Sequence, residues 1–302
     1  MEDTVPVIGF IGLGVMGGAM SRNMALKHPG DVMVFDVNPD ALAALEGTQA
    51  RRAGSMAELA AQADVVFLSL PGGAQVEAVC LGPDGLTSGS RRPSLIVDLS
   101  TTTVASARAV ADRLAAMDVG FADAPVARTR EAARKGELSI MVGADPVVFQ
   151  RIEPLLRYIG TDVTLCGAVG CGQAVKLINN ALVFEHTMAL AEMMVLGERA
   201  GVQPAVLLDA VSKGSGDSFV LRNHGRKAML PREFPEKSFP PEYVLKDLGY
   251  VLELASQTKL TAHVAELAQR YYAATAGGWS GRYFPAVIEV VDGNVALPPG
   301  AR

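Results

Sequence analysis

The sequence predicts an α/β protein in two parts, a doubly wound parallel sheet over residues 1–168 and an all-helical domain over 169–302. Three observations carry this expectation. An apolar run (Val5, Val7, Ile8, Phe10, Ile11) leads straight into Gly12-x-Gly14-x-x-Gly17 and a Met- and Ala-containing segment, the order strand, loop, helix. Short β-rich runs then alternate with Ala-rich helical segments through the first half. Beyond Gly170 the runs of β-branched residues largely stop, and a single helix of about 30 residues begins.

The first element points to a dinucleotide. In such a loop the first glycine permits a tight turn, the second lets a pyrophosphate approach the backbone, and the third lets the helix pack closely on the sheet. The helix N-terminus then offers unpaired N–H groups and a positive dipole end. Gly12, Leu13, Gly14, Val15, Met16 and Gly17 are therefore the expected phosphate cradle. A second apolar strand, Val32-Met33-Val34-Phe35, ends on Asp36, 19 residues after Gly17, where a ribose-binding carboxylate belongs. A carboxylate there repels a 2′-phosphate, and Val37-Asn38-Pro39 supplies no base to bind one. NAD is expected in preference to NADP, in a Rossmann domain.

Further strands are expected at Val65–Leu70, Leu95–Leu99, near Phe121, Ile140–Val142 and Val163–Leu165, with helices at Ser55–Ala63 and Val104–Met117. The second of these helices follows Ser100-Thr101-Thr102-Thr103, a natural N-cap cluster. The long helix, Gly172 to about Ala200, is apolar on most of its circumference and should be buried through much of its length. Helices at Pro204–Ser212, Pro241–Gln257, Ala262–Ala276 and Phe284–Asp292 complete the chain, with Pro231–Pro241 an ordered loop.

Composition narrows the classes. Of 302 residues, 49% are hydrophobic and 20% charged, which suits a globular protein. Net charge is −5, from 27 basic and 32 acidic residues, so no nucleic-acid footprint is expected. Arg51-Arg52 and Arg91-Arg92 read as solvated loop charges. Three cysteines (Cys80, Cys166, Cys171) at no metal-ligand spacing suit a reduced, cytoplasmic compartment. The four histidines form no metal-binding pair, the first apolar run is broken by the glycine loop, and no apolar stretch reaches membrane-spanning length. No metal and no membrane are expected.

Ligands in such sheets sit at the C-terminal ends of the strands. Three segments lie there. Leu70-Pro71-Gly72-Gly73 offers open backbone beside the cofactor ribose, Asp98-Leu99-Ser100-Thr101-Thr102 offers hydroxyls near the nicotinamide end, and Asp123-Ala124-Pro125-Val126-Ala127-Arg128-Thr129 is a candidate substrate loop. A fourth feature lies on the long helix. Lys176 and Asn180 are four residues apart and share a face. An amine on an apolar helix is paired, solvated or catalytic. Hydride reduction of a carbonyl needs a proton donor at the oxygen. A lysine desolvated beside a nicotinamide cation can have its pKa lowered toward neutrality and serve both directions.

Taken together, GFIGLGVMGGAM, DLSTTT, DAPV, GCGQAVKLINN and Lys246-Asp247-Leu248 resemble the β-hydroxyacid dehydrogenase family, which includes 3-hydroxyisobutyrate dehydrogenase and tartronate semialdehyde reductase. The resemblance runs from Val5 to about Val291. It implies hydride transfer between NAD(H) and a small 3-hydroxy acid or its semialdehyde. Lys176 matches the catalytic lysine, and Asn180 the asparagine that orients it and the substrate carboxylate. Ser100, Thr101 and Thr102 match the segment near nicotinamide and substrate, and Lys246 the lysine of the helical domain that closes over the site. Family members usually form dimers or tetramers through that domain.

One departure bears on the substrate. The family loop commonly runs D-A-P-V-S-G-G, whereas here Ala127, Arg128, Thr129 and Arg130 follow Val126. An Arg-Thr pair resembles the branch containing sulfolactaldehyde reductase. A guanidinium fork suits a sulfonate, phosphonate or second carboxylate. The competing expectation is that Arg128 or Arg130 caps a turn or pairs with Glu131 or Asp123. The Trp279–Phe284 region also departs from the family pattern, where an acid is common. Two other readings remain, an imine reductase and a catalytically silent scaffold. Relatives of both kinds generally lack the lysine matched by Lys176.

Overall fold

The structure, a computed structural model, describes residues 5–236 and 238–294. The chain divides into two compact units between Lys176 and Leu177. That point lies inside a 29-residue helix, Cys171–Arg199, and not at the expected 168/169. The helix begins in the first unit because its opening turn is hydrogen-bonded to the sheet, as described below.

The first unit holds a nine-stranded sheet in the order β3-β2-β1-β4-β5-β6-β8-β7, with β9 pairing β8. The strands are β1 (Ile8–Ile11), β2 (Val32–Phe35), β3 (Arg51–Arg52), β4 (Val65–Leu68), β5 (Leu95–Asp98), β6 (Gly120–Asp123), β7 (Val126–Ala127), β8 (Leu138–Gly143) and β9 (Gly160–Gly167). From β3 to β6 every pairing is parallel. The expected all-parallel sheet is mixed beyond that point, since β8 runs antiparallel to β6 and β7. Only a six-residue helix, Arg130–Lys135, separates β7 from β8, too short a crossover for a parallel return. Arg51 and Arg52 form an edge strand against Met33 and Val34, where a loop was expected; both remain exposed, as edge-strand charges commonly do.

Strand side chains alternate between two cores. Ile8, Phe10, Val34, Phe67 and Val97 belong to one, and Ile11, Met33, Val66, Leu68 and Ile96 to the other. That is the period of two expected for strands covered on both faces. β1 lies between β2 and β4, so the chain's direction of winding reverses there, and the glycine loop leaves the C-terminal end of that strand. The helices of this unit are α1 (Val15–Lys27), α2 (Met56–Gln62), α3 (Gly73–Leu81), α4 (Val104–Ala115), α5 (Arg130–Lys135) and α6 (Pro146–Leu156).

The second unit is helical, built from most of α7 (Cys171–Arg199) with α8 (Pro204–Val211), α9 (Pro241–Gln257), α10 (His263–Trp279) and α11 (Val287–Val291). A π-helical stretch, Leu221–Met229, precedes α9. Phe184, Met188, Leu248, Tyr272, Phe284 and Val287 form its core. Burial of α7 is one-sided: Ile178, Leu182, Met193 and Leu196 are 54%, 47%, 52% and 60% exposed. No helix among the described residues is long and apolar enough to cross a membrane.

Candidate active site

The glycine loop has the geometry its sequence calls for. Gly12 has φ +93°, a conformation that L side chains rarely adopt, and its N–H donates to the Phe35 carbonyl at 3.0 Å. Gly14 is open, with nothing within 4 Å of where a Cβ would stand, while a Cβ on Gly17 would collide with the Gly12 carbonyl. α1 has no side-chain cap and no acid in its first turn, so its leading N–H groups and positive dipole end are available to phosphates. Asp36 sits at the edge of this cradle. One of its oxygens accepts the Leu13 N–H at 2.5 Å, and the other accepts the Asn38 N–H at 2.7 Å. An open glycine backbone, an uncapped helix and a carboxylate at the next strand end fit a dinucleotide.

The neighbouring strand ends are tied to one another. The Leu70 N–H donates to Ser100 Oγ at 2.9 Å, joining the segment after β4 to the segment after β5. Ser100 and Thr102 are buried, Thr101 is half-buried, and Pro71 is exposed. Thr103 caps α4 through the Ser106 N–H. Asp98 and Asp123 are register partners at the ends of β5 and β6, and both are fully buried. Burial pushes the Asp98 carboxyl up to about 7 against the opposing hydrogen bonds from Ser100, with the Asp123 charge adding to the rise. Burial likewise raises Asp123 to about 6, opposed by N–H groups of Gly170 and Gln173.

These last bonds anchor the start of α7. Asp123 accepts the Gly170 N–H on one oxygen (2.6 Å) and the Gln173 N–H on the other (2.7 Å). The Gln173 amide accepts from the Thr102 N–H at 3.0 Å and donates to the Ser100 carbonyl at 2.8 Å. Lys176 follows within the same helix and is 9% exposed.

In the second unit Asn180 is also 9% exposed, and its amide donates to Asp247 Oδ2 at 2.8 Å. Asp247 is 2% exposed, and the Lys246 ammonium lies 3.4 Å from its other oxygen and 5.5 Å from the centre of the Tyr250 ring. In the departing Trp279–Phe284 segment, Tyr283 shares a 2.7 Å hydrogen bond with His224 of the π-helical stretch. Burial holds that imidazole down at about 4, so it is neutral at neutral pH.

The substrate-loop residues are engaged differently from expectation. The Arg128 guanidinium donates to the Glu137 carbonyl (2.6 Å) and Thr161 Oγ1 (3.0 Å), and pairs with Asp162 Oδ2 at 2.6 Å. It therefore holds the β8–β9 edge. It pairs with neither of the acids considered from the sequence: Asp123 is buried on the α7 backbone, and Glu131 pairs with Lys135. Thr129 caps α5 by accepting the Ala132 N–H, and Ala127 is buried in β7 opposite Ser139. Arg128 has φ +85°, in the position where the family loop carries a glycine.

Sequence reasoning missed Gln173 and Asp247 as members of the site. Asp247 left a trace, an acid beside Val244 and Leu248 on the apolar face of α9. Gln173 stands inside the GCGQAVKLINN motif, but nothing there marks its partners, which lie 71 and 73 residues earlier. No cluster of metal-binding side chains occurs among the described residues.

Residues 7–167 match the NAD binding domain of 6-phosphogluconate dehydrogenase, and residues 170–291 match the NAD-binding domain of NADP-dependent 3-hydroxyisobutyrate dehydrogenase. The chain is 34% identical over 291 residues to 2-(hydroxymethyl)glutarate dehydrogenase of Eubacterium barkeri, covering 96% of each protein. It is 34% identical over 270 residues to 3-hydroxyisobutyrate dehydrogenase of Pseudomonas aeruginosa, covering 88% of this chain and 90% of that one. Among solved structures, Mycobacterium tuberculosis 3-hydroxyisobutyrate dehydrogenase with L-serine superposes with a TM-score of 0.86 at 30% identity, covering 95% and 99% of the two chains. With the dinucleotide cradle and the lysine-bearing helix in place, these matches establish the chain as a member of the β-hydroxyacid dehydrogenase family, an oxidoreductase that uses a nicotinamide cofactor.

Proposed function

We propose that the protein interconverts a small 3-hydroxy acid and its semialdehyde with NAD(H), using Lys176 as the proton shuttle. The observation that carries this reading is a lysine, 9% exposed, on a helix whose first turn is hydrogen-bonded to the strand ends of a dinucleotide-binding sheet. A buried amine at that place has a use in carbonyl chemistry and a cost elsewhere. A nicotinamide cofactor held by the Gly12–Gly17 cradle and Asp36 would supply or take the hydride. Lys176 gives its proton to the carbonyl oxygen during reduction and takes it from the hydroxyl during oxidation. Asn180, held by Asp247, orients the substrate carboxylate. Ser100 and Thr101 bind the acid and the nicotinamide end, Leu70 and Pro71 border the ribose, and Lys246 completes the anionic contacts.

The presence of Lys176 favours this reading over an imine reductase or a silent scaffold. The engaged state of Arg128 favours an ordinary monocarboxylate over a sulfonate. The exposed apolar stripe of Ile178, Leu182, Met193 and Leu196 on α7 supports a homodimer or homotetramer formed through the helical domain. Three free cysteines suit a reducing, cytoplasmic compartment.

The test is a panel of 3-hydroxy acids, sulfonates and dicarboxylates with each nicotinamide cofactor, run on the wild type and on Lys176→Ala. We expect NAD-dependent turnover of a 3-hydroxyisobutyrate-like acid by the wild type. The variant should lose about a hundredfold in kcat or more, with NADH binding retained. Near-native turnover by Lys176→Ala at neutral pH would remove the lysine from the chemistry.

A further inference from the structure

We propose that Asp123 and Gln173 are positioning residues for Lys176, setting the height and rotation of the first turn of α7 and with it the place of the lysine amine. The proposal rests on the reading of Lys176 as the proton shuttle. The start of α7 is unusual. The helix has no acid in its own first turn. The negative charge that suits a helix N-terminus comes instead from the end of β6, 47 and 50 residues earlier in the chain. Each oxygen of Asp123 takes one N–H, from Gly170 just before the helix and from Gln173 within it. A two-point attachment of this kind fixes both translation and twist, which a single bond does not.

The surroundings are shaped for that carboxylate. A Cβ on Gly143 would collide with Asp123 Oδ1, and a Cβ on Gly172 would lie 2.8 Å from Oδ2. Those distances are shorter than real Cβ contacts, so both neighbours must be small for the carboxylate to sit there. The Gln173 side chain adds the second constraint. Its acceptor and donor are both spent on one loop, the Thr102 N–H and the Ser100 carbonyl, and it is wholly buried. The same loop reaches the segment after β4 through Ser100 Oγ and the Leu70 N–H. Lys176 lies three residues beyond Gln173, about 4.5 Å along the axis and about 300° around it. Neither Asp123 nor Gln173 needs to meet substrate to matter. A misplacement of about 1 Å at a proton donor can cost a hundredfold in rate.

The test compares Gln173→Ala, Gln173→Glu and Asp123→Asn with the wild type. Gln173→Ala should lower kcat by about tenfold or more, with the Kd for NADH unchanged. Gln173→Glu carries the diagnostic readout. While protonated, its carboxyl can accept from Thr102 and donate to Ser100 as the amide does. Once ionised it cannot donate. The ratio of its kcat to that of the wild type should therefore approach one toward acid pH and fall as pH rises. Asp123→Asn keeps one acceptor oxygen and should fall between wild type and Gln173→Ala. If it fails to fold, the Gln173 pair still decides.

A second measurement does not depend on turnover. The pH dependence of Lys176 acylation by acetic anhydride, read by mass spectrometry on the NADH-loaded protein, should change in Gln173→Ala while that of Lys135 stays fixed. Unchanged kcat, or an unchanged pH profile in Gln173→Glu, overturns the proposal when the wild type is active. A wild type inactive on every hydroxy acid would overturn the functional reading instead, and the acylation profile alone would then decide whether these residues place the lysine.

Discussion

Asn180 and Asp247 are joined by a 2.8 Å hydrogen bond that spans 67 residues of sequence and links α7 to α9 inside the helical unit. Asp247 is 2% exposed, and among the described residues its other oxygen has no hydrogen-bond partner, while the Lys246 ammonium lies 3.4 Å from it. The hydrogen bond this buried carboxylate makes is the one from the Asn180 amide. Asp247 accepts one N–H of that amide, whose carbonyl oxygen accepts from Asn179 at 3.1 Å, which fixes the direction of the second N–H, the one able to meet a carboxylate. Asp247→Ala should cost about 2 kcal/mol of stability, as expected for an amide left without its charged partner. It should also raise KM for the acid more than the Kd for NADH. Kinetics beside a thermal melt will check both, and an unaltered KM would leave the pair a purely structural bond.

Asp36 should set the preference for NAD over NADP. Its two oxygens already accept from Leu13 and Asn38, which fixes the carboxylate at the edge of the phosphate cradle. A 2′-phosphate there would meet a negative charge in place of a partner. We expect kcat/KM to favour NAD clearly in the wild type and Asp36→Ala to narrow that preference. Because the Leu13 N–H loses its acceptor, the variant should also bind NADH more weakly. A wild type that prefers NADP would overturn this role for Asp36.

The Asp98 carboxyl predicts the pH dependence of stability. Its pKa is raised from 3.8 in the unfolded chain to about 7 in the fold, chiefly by burial. The native state thus holds the proton more tightly, and stability falls as pH rises between those values. Above about 7 the loss is complete, on the order of a few kcal/mol. Asp98→Asn keeps an acceptor for the Ser100 N–H, which Asp98 takes at 2.9 Å, and cannot ionise. The Tm difference between variant and wild type should grow in the variant's favour from pH 4 toward pH 8, the window of that shift. A constant difference would mean that Asp98 is not the titrating group.

Local pattern was legible in the sequence where it was continuous, and cross-chain pairing was not. The glycine loop, Asp36 and the long helix follow from residues adjacent in sequence or at helical spacing, and helix α9 (Pro241–Gln257) keeps its expected bounds. β3 and β7 are only two residues long, too short to show alternation, so the edge strand of Arg51 and Arg52 and, at the other end, the antiparallel β7–β8 pairing were both hidden. The site divides in the same way. Lys176 and Asn180 share a helix face and could be singled out, whereas the partners that hold their elements, Asp123 on α7 and Asp247 on Asn180, come from remote strands and helices. A substrate-loop arginine likewise carries no sequence mark of the Asp162 that binds it 34 residues later.

That arginine gives the last prediction. Arg128 has φ +85°, which a side chain of its size tolerates poorly, and this costs about 1–2 kcal/mol. Its bonds to Glu137, Thr161 and Asp162 offset the strain, although the ion pair is 44% and 56% exposed and solvent screens most of its strength. Arg128→Gly relieves the backbone while losing the contacts, so its Tm should stay near wild type. Arg128→Ala keeps the strain and loses the contacts, so it should melt lower. In kinetics, a guanidinium already held by Asp162 should leave KM for a monocarboxylate within about twofold in Arg128→Ala, the scale of an exposed pair. Only substrates with a second anionic group could draw it from Asp162 into a bidentate contact, and for those KM should rise tenfold or more, about the strength of a charge-assisted bond. Asp162→Ala should then lower KM for the same doubly charged substrates by releasing the fork. A large KM increase for the monocarboxylate itself would instead put Arg128 on the common carboxylate and make the Asp162 pair a resting state.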